Sequence, residues 1–305
     1  MRRKLSMLLP ILLSLAAVGA FLAYILTHDI AVLNPMGTIA QQQRDLIIFT
    51  TVLSLVVIVP VFVLTFFIVW RYREGGSKKA KYRPNWDGNR TLETIWWTIP
   101  CLIILVLAVV TWRTSHSLDP YRQLTADKPA VRVQVVALPW KWLFIYPDER
   151  VATVNYLAIP EDTPINFEIT SDAPMNSFWI PQLGGQVYAM SGMTTKLHLS
   201  ASEVGDYKGV SANLSGDGFA GMKFTAKAMT QGAYDRWVGQ AQSSSFLLTG
   251  DEYDKLAKPS KNNKQATYSA TQADLFDRII MKYMAPAEGG AGTHTSDSRH
   301  ETEGI

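Results

Sequence analysis

The chain has 305 residues, 48% hydrophobic and 18% charged, with one cysteine and a formal net charge of +3. That length holds one extramembrane domain plus membrane segments, and a lone cysteine excludes an intrachain disulfide framework. Arg2, Arg3 and Lys4 open the chain, and residues 71–90 carry seven Lys/Arg against Glu74 and Asp87; basic charge confined to the flanks of apolar runs is the positive-inside pattern and excludes a nucleic-acid footprint.

Residues 5–26 are uncharged. A run of that length crosses a hydrocarbon core of about 30 Å at about 1.5 Å per residue. A cleaved signal peptide, with Val18 and Ala20 at the cleavage site, is the alternative; the long run favours an uncleaved helix within 1–28. Residues 46–70 form a second uncharged run, with Pro60 as a possible kink and Trp70 and Tyr72 at its edge. The basic loop 71–93 is expected in the cytoplasm. A further span, 94–112, has Trp96 and Trp97 at one end, Trp112 at the other and Pro100 in its second turn. The spans make a transmembrane hairpin over 46–113, which leaves the C-terminal domain on the opposite side, the periplasm in a bacterium.

After a linker, the period changes to two at Val131, Val133 and Val135. Further β-patterned runs follow at 140–146, 151–158, 164–171, 176–181, 186–190, 195–200, 206–212 and 221–228. Eight or nine short strands between Pro, Gly, Asn and Asp clusters predict an all-β Greek-key sandwich over 130–229. Trp140 and Trp142 are read as neighbours on one strand face, engaged in packing. His198, between Leu197 and Leu199, is predicted to face solvent. Helical spacing returns at 232–242 and 271–284, giving a helical arm over 230–285. The Gly-, Thr- and Ser-rich residues 286–305 predict a disordered tail.

Several stretches together carry a family resemblance. They are Pro84-Asn85-Trp86, the segment from Glu93 to Pro100, the aromatic run Ala137 to Pro147, Asn176 to Gly184, and Tyr188 to Met193. Over roughly residues 30–285 the chain resembles subunit II of the haem–copper respiratory oxidases, and within it the quinol-oxidising cytochrome o branch. The resemblance implies a membrane α-helical hairpin, a cupredoxin-like β-sandwich and a C-terminal helical arm. Many members of that branch have a lipoprotein cysteine after the first apolar segment; Leu22 to Asn34 contains none, which agrees with a retained helix.

In copper-bearing relatives the loop matching 211–222 carries Cys, Glu, Cys, His and Met, and the segment matching 176 begins with a ligand His. Here Asn176, Ser211, Asn213, Ser215 and Phe219 stand in those places, and only Met222 is kept. A binuclear copper centre needs bridging thiolates and imidazoles, and a blue-copper site needs Cys with two His. Neither set is present, so the sandwich is expected to lack copper. Without it, cytochrome c has no acceptor here. The resemblance then implies ubiquinol as the donor, with haem and copper in subunit I and no cofactor in this chain.

Glu93 opens the 94–112 span. Residue by residue it reads either as an intramembrane ionisable group with a function or as a carboxylate favoured at a helix N-terminus. The resemblance places the matching Glu at the mouth of a proton path into subunit I. The expected partners are subunit I, smaller membrane subunits, the bilayer, and ubiquinol and oxygen through the complex, with no nucleic acid. The expected place is a bacterial inner membrane. A cytochrome c oxidase subunit II is the rival within the family, and a membrane-tethered chaperone or interaction module the rival outside it.

Overall fold

The computed structural model describes residues 2–28, 30–73, 87–126, 128–269 and 271–284. The predicted tail 286–305, and most of the basic loop with Pro84-Asn85-Trp86, lie outside the described residues. Helix α1 spans Arg2–Thr27, α2 Thr38–Tyr72 and α3 Arg90–Ser117. Among the described helices, α2 and α3 are long and apolar enough to cross a membrane. Both are longer than the uncharged runs that predict them, and α2 continues through Pro60.

The extra length of α2 has a use. Its first eight residues, Thr38 to Asp45, add about 12 Å outside the apolar run and meet the β-domain directly. The Met36 and Ala40 amides donate to the carbonyls of Gln182 and Leu183 at 2.8 and 3.2 Å, and Ser202 N donates to Met36 O at 2.8 Å. Gly37 lies so close to Ser200 O that a Cβ there would collide with it. The helix therefore enters the domain as a fixed strut.

Strands β1 (Val131–Leu138), β2 (Lys141–Tyr146), β3 (Val151–Val154), β5 (Ile165–Ser171), β8 (Thr195–Leu199) and β11 (Ala266–Tyr268) form one sheet in the order β11-β3-β2-β1-β5-β8. Strands β4 (Tyr156–Pro160), β6 (Asn176–Trp179), β7 (Val187–Ala189), β9 (Gly205–Ser211) and β10 (Lys223–Met229) form the other, in the order β4-β10-β9-β6-β7. Helices α4 (Gln231–Gln242), α5 (Gly250–Leu256) and α6 (Leu275–Met284) complete the chain.

The single run predicted over 151–158 is two strands in different sheets. Asn155 breaks it with φ of 54°, a left-handed conformation that Asn tolerates. Its side chain satisfies the freed backbone, accepting from Trp142 N at 2.9 Å and donating to Asn263 O at 3.0 Å. Tyr146 then ties the sheets together: its hydroxyl donates to Ala158 O at 3.0 Å and accepts from Ala158 N at 2.8 Å.

Between the sheets lies an aromatic core of Trp142, Phe144, Phe167, Phe178 and Phe224. Phe178 and Phe224 stack at 5.2 Å, and Trp142 meets Phe178 edge-on at 5.4 Å. A second buried cluster sits on the opposite face of the six-stranded sheet. There Val136, Leu138, Leu143 and Ile145 pack against Leu248, Tyr253, Leu275, Phe276 and Ile279 of the arm. All six residues of β2 are buried, because both faces of that strand are covered. Alternation therefore fades after Val135.

Candidate functional site

The residues that the family resemblance sets in the places of copper ligands come from β6, the end of β9 and the loop that leads through a 3-10 turn, Phe219–Gly221, into β10. Register brings the first two together: β6 pairs β9 with Phe178 opposite Ser211. Ser211 Oγ donates to Asn176 Oδ1 at 3.0 Å. Asn176 Nδ2 donates to Pro174 O at 2.6 Å, and Asn213 Nδ2 to Met175 O at 2.9 Å. The hydroxyl and amides are thus engaged with one another and with the backbone.

The other places diverge. Met222 is 1% exposed within the aromatic core, where its thioether is apolar filler. Phe219 opens the 3-10 turn and makes backbone bonds only, from its N to Gly216 O and from Met222 N to its O. Ser215 presents its carbonyl to Trp140 Nε1 at 3.0 Å, while its hydroxyl is buried without a partner. A neutral hydroxyl, amide and phenyl set does not fit a copper pair that needs thiolate and imidazole donors. Among the described residues, no group of three or more His, Cys, Asp or Glu gathers to hold a metal ion.

Trp140 departs from its expected place. It is in the turn between β1 and β2 with φ of 61°, not on a strand. Its ring lies against Gly218, where a Cβ would enter the indole, and Lys261 Nζ stands 5.6 Å from the ring centroid. Trp142 alone enters the core, fully buried. The aromatic turn and the 211–222 loop therefore lock each other. His198 is also corrected: it is 6% exposed, not solvent-facing, because the linker after α3 and the start of α2 cover that side of β8.

Glu93 is remote from this loop. It sits in the first turn of α3, while the β-domain follows the other end of that helix, about 40 Å away at about 1.5 Å per residue. Asn89 caps the helix, its Oδ1 accepting from Leu92 N at 3.2 Å. Glu93 itself is exposed, at the positive end of the helix dipole.

Two charged centres escaped the sequence reading. Asp172, in the β5–β6 turn, accepts from Tyr253 Oη at 2.6 Å, Lys282 Nζ at 2.7 Å and Tyr283 Oη at 2.5 Å. Burial alone would raise its carboxyl; the three donors outweigh burial and hold it below the usual carboxylate value. Tyr283 is pushed up to about 12, by burial and then by Asp172. Lys141, 2% exposed, donates to Leu256 O at 2.7 Å, Lys258 O at 2.9 Å and Ser260 Oγ at 2.5 Å, and burial lowers its ammonium. Both centres fasten the arm. Their partners lie some 80 to 120 residues away in the chain, so no local pattern announces them.

Comparison with known proteins agrees with this architecture. Residues 35–113 match the model of the cytochrome c oxidase subunit II transmembrane domain, and residues 242–287 match the COX aromatic rich motif. The chain is 50% identical over 251 residues to cytochrome bo(3) ubiquinol oxidase subunit 2 of Pseudomonas putida, covering 82% of this chain and 80% of the relative. It is 44% identical to the protein of the same name from Pseudomonas aeruginosa, over 90% of this chain and 83% of the relative. It is 47% identical to ubiquinol oxidase subunit 2 of Acetobacter aceti, over 84% and 83%. With that identity over more than four fifths of the chain, it belongs to the ubiquinol oxidase subunit 2 family, within subunit II of the haem–copper oxidases.

Proposed function

We propose that the chain is the subunit II of a proton-pumping ubiquinol oxidase, and that it works without a copper centre of its own. The observation that carries this reading is the Ser211–Asn176 hydrogen bond of 3.0 Å, which joins two of the former ligand places directly. Electrons from a water-soluble carrier have no acceptor here, whereas a lipid-soluble quinol delivers them within the bilayer to haem and copper in subunit I. The chain is multi-pass in a bacterial inner membrane, with the sandwich in the periplasm; the basic residues beside α2 support that orientation. Its units are the hairpin 46–113, the sandwich 130–229 and the arm 230–285. Its partners are subunit I and the smaller membrane subunits.

Within the complex, α2 and α3 anchor the chain, and the strut at Met36 to Ala40 sets the sandwich above subunit I. Glu93 is the residue we assign to the mouth of a proton path. Its exposure at a helix start supports a place at the cytoplasmic mouth of such a path.

Oxygen uptake by the complex, purified through a tag on this chain, tests the assignment. Cyanide-sensitive uptake with ubiquinol and none with reduced cytochrome c is the expected result. Uptake with cytochrome c would overturn the copper-free reading. A purified chain with no haem subunit and no uptake would instead favour the stand-alone module.

A further inference from the structure

A cavity of about 100 Å³ lies where α2, the linker after α3 and the β7–β8 side of the sandwich meet; Gln43, Asp119, Arg122 and His198 line it. Gln43 and Gly185 also line an adjoining apolar groove of about 380 Å³ with Leu46, Ile47, Trp179 and Pro181. Gln43 is three residues before Leu46, where the uncharged run of α2 begins, so it stands about 4.5 Å outside that run. The headgroup layer adds roughly 5–7 Å to each side of a hydrocarbon core. The cavity is therefore at headgroup depth, and the groove leads from it toward the acyl chains.

The lining is mixed, and its polar part offers both donors and acceptors. Among the described residues, Asp119 and Arg122 form no ion pair, with each other or with any other group. Asp119 Oδ1 accepts only from Tyr121 N, at 2.9 Å. His198 is 6% exposed; its Nδ1 donates to Asn166 Oδ1 at 2.7 Å, which leaves Nε2 a bare acceptor, buried and without a partner. Burial and then Lys196 lower the pKa of the ring below the usual histidine value. The wall thus offers donors at Arg122 and Gln43, and acceptors at Asp119 and His198.

We propose that this cavity binds the phosphoethanolamine headgroup of a bilayer lipid, its phosphate on Arg122 and Gln43, its ammonium on Asp119 and His198, and its acyl chains along the apolar groove. A phosphatidylglycerol headgroup has no ammonium to offer Asp119, and free phosphate would leave the groove unused. The assignment rests on α2 crossing the bilayer and not on the oxidase activity.

The test is native mass spectrometry of the full-length chain with its partner subunits, delipidated and then offered phosphatidylethanolamine, phosphatidylglycerol or inorganic phosphate. Wild type is expected to retain phosphatidylethanolamine in preference to phosphatidylglycerol. Arg122→Gln should bind it about tenfold more weakly, the loss of one charge-assisted contact, and Arg122→Lys should restore part of the binding. Asp119→Asn should abolish the preference for phosphatidylethanolamine. Arg132→Gln, in an exposed ion pair elsewhere on the sandwich, should change nothing. Equal retention by wild type and Arg122→Gln overturns the proposal. So does indifference of wild type to the headgroup, or displacement of the lipid by inorganic phosphate, which would make this a free-phosphate site. Quinol-driven oxygen uptake in the same samples separates failure of this site from failure of the oxidase assignment.

Discussion

Glu93 and Asp172 are both carboxylates, and their surroundings give them different tasks. Glu93 is exposed in the first turn of α3. If it acted only on the helix dipole, Glu93→Gln would cost about 0.3–1 kcal/mol of stability and leave turnover unaltered. The proton-path role predicts a severalfold fall in quinol oxidase turnover in Glu93→Gln, with the complex assembled and its helix content unchanged. Steady-state oxygen uptake beside circular dichroism checks this; full turnover in the variant would remove Glu93 from the mechanism. Its position was legible in the sequence, since an acidic residue beside an apolar run stands out without any tertiary information. Asp172 was not legible, because three donors from distant parts of the chain make it what it is.

At the scale of elements, the arm is held to the sandwich by polar contacts at two places and by an apolar seam. Asp172 receives Tyr253 from α5 and Lys282 and Tyr283 from α6; Lys141 receives the end of α5 and the turn after it. Asp172→Ala removes a buried acceptor from charged and phenolic donors and should destabilise the docked arm by roughly 2–4 kcal/mol, read as faster amide exchange in α6. The linkage has a definite sign. The folded-state pKa of Asp172 is depressed, so its contribution is complete above the ordinary carboxylate value of about 4 and is lost as pH falls through the folded value. Exchange in α6 should therefore rise in wild type as pH falls below about 4, after correction for intrinsic rates, and Asp172→Asn should lack that step. An identical profile in the two proteins would mean that Asp172 does not hold the arm.

Over the whole molecule, the second sheet buries one face of the six-stranded sheet, and the arm buries β2, β3 and the end of β1 on the other. Ending the chain after Gln242 would bare Val136, Leu138, Leu143 and Ile145. At about 1.5–3 kcal/mol per buried aliphatic side chain, that loss is comparable to the whole stability of an ordinary domain, about 5–15 kcal/mol. The shortened chain is expected to aggregate or to be degraded in membranes, as seen by blotting of membrane fractions. A shortened chain with the wild-type melting temperature would show that the sandwich stands without its arm.

The sequence by itself determined the two apolar helices, the β-rich domain and the family, because long uncharged runs, period-two strands and an unusual aromatic segment are local signals. It also determined that residues 211–222 contain neither Cys nor His, since residue identity alone decides whether thiolate and imidazole donors are present. The tertiary structure decided what rests on distant contacts. Asn155 splits one predicted run between two sheets through a left-handed turn. Trp140 leaves the strand to cover Gly218. His198 is covered by a linker far from it in the chain. Strand β11 is three residues long and exists because β3 offers it an edge. In each case the local pattern is compatible with more than one environment, and the burial supplied by remote segments selects among them.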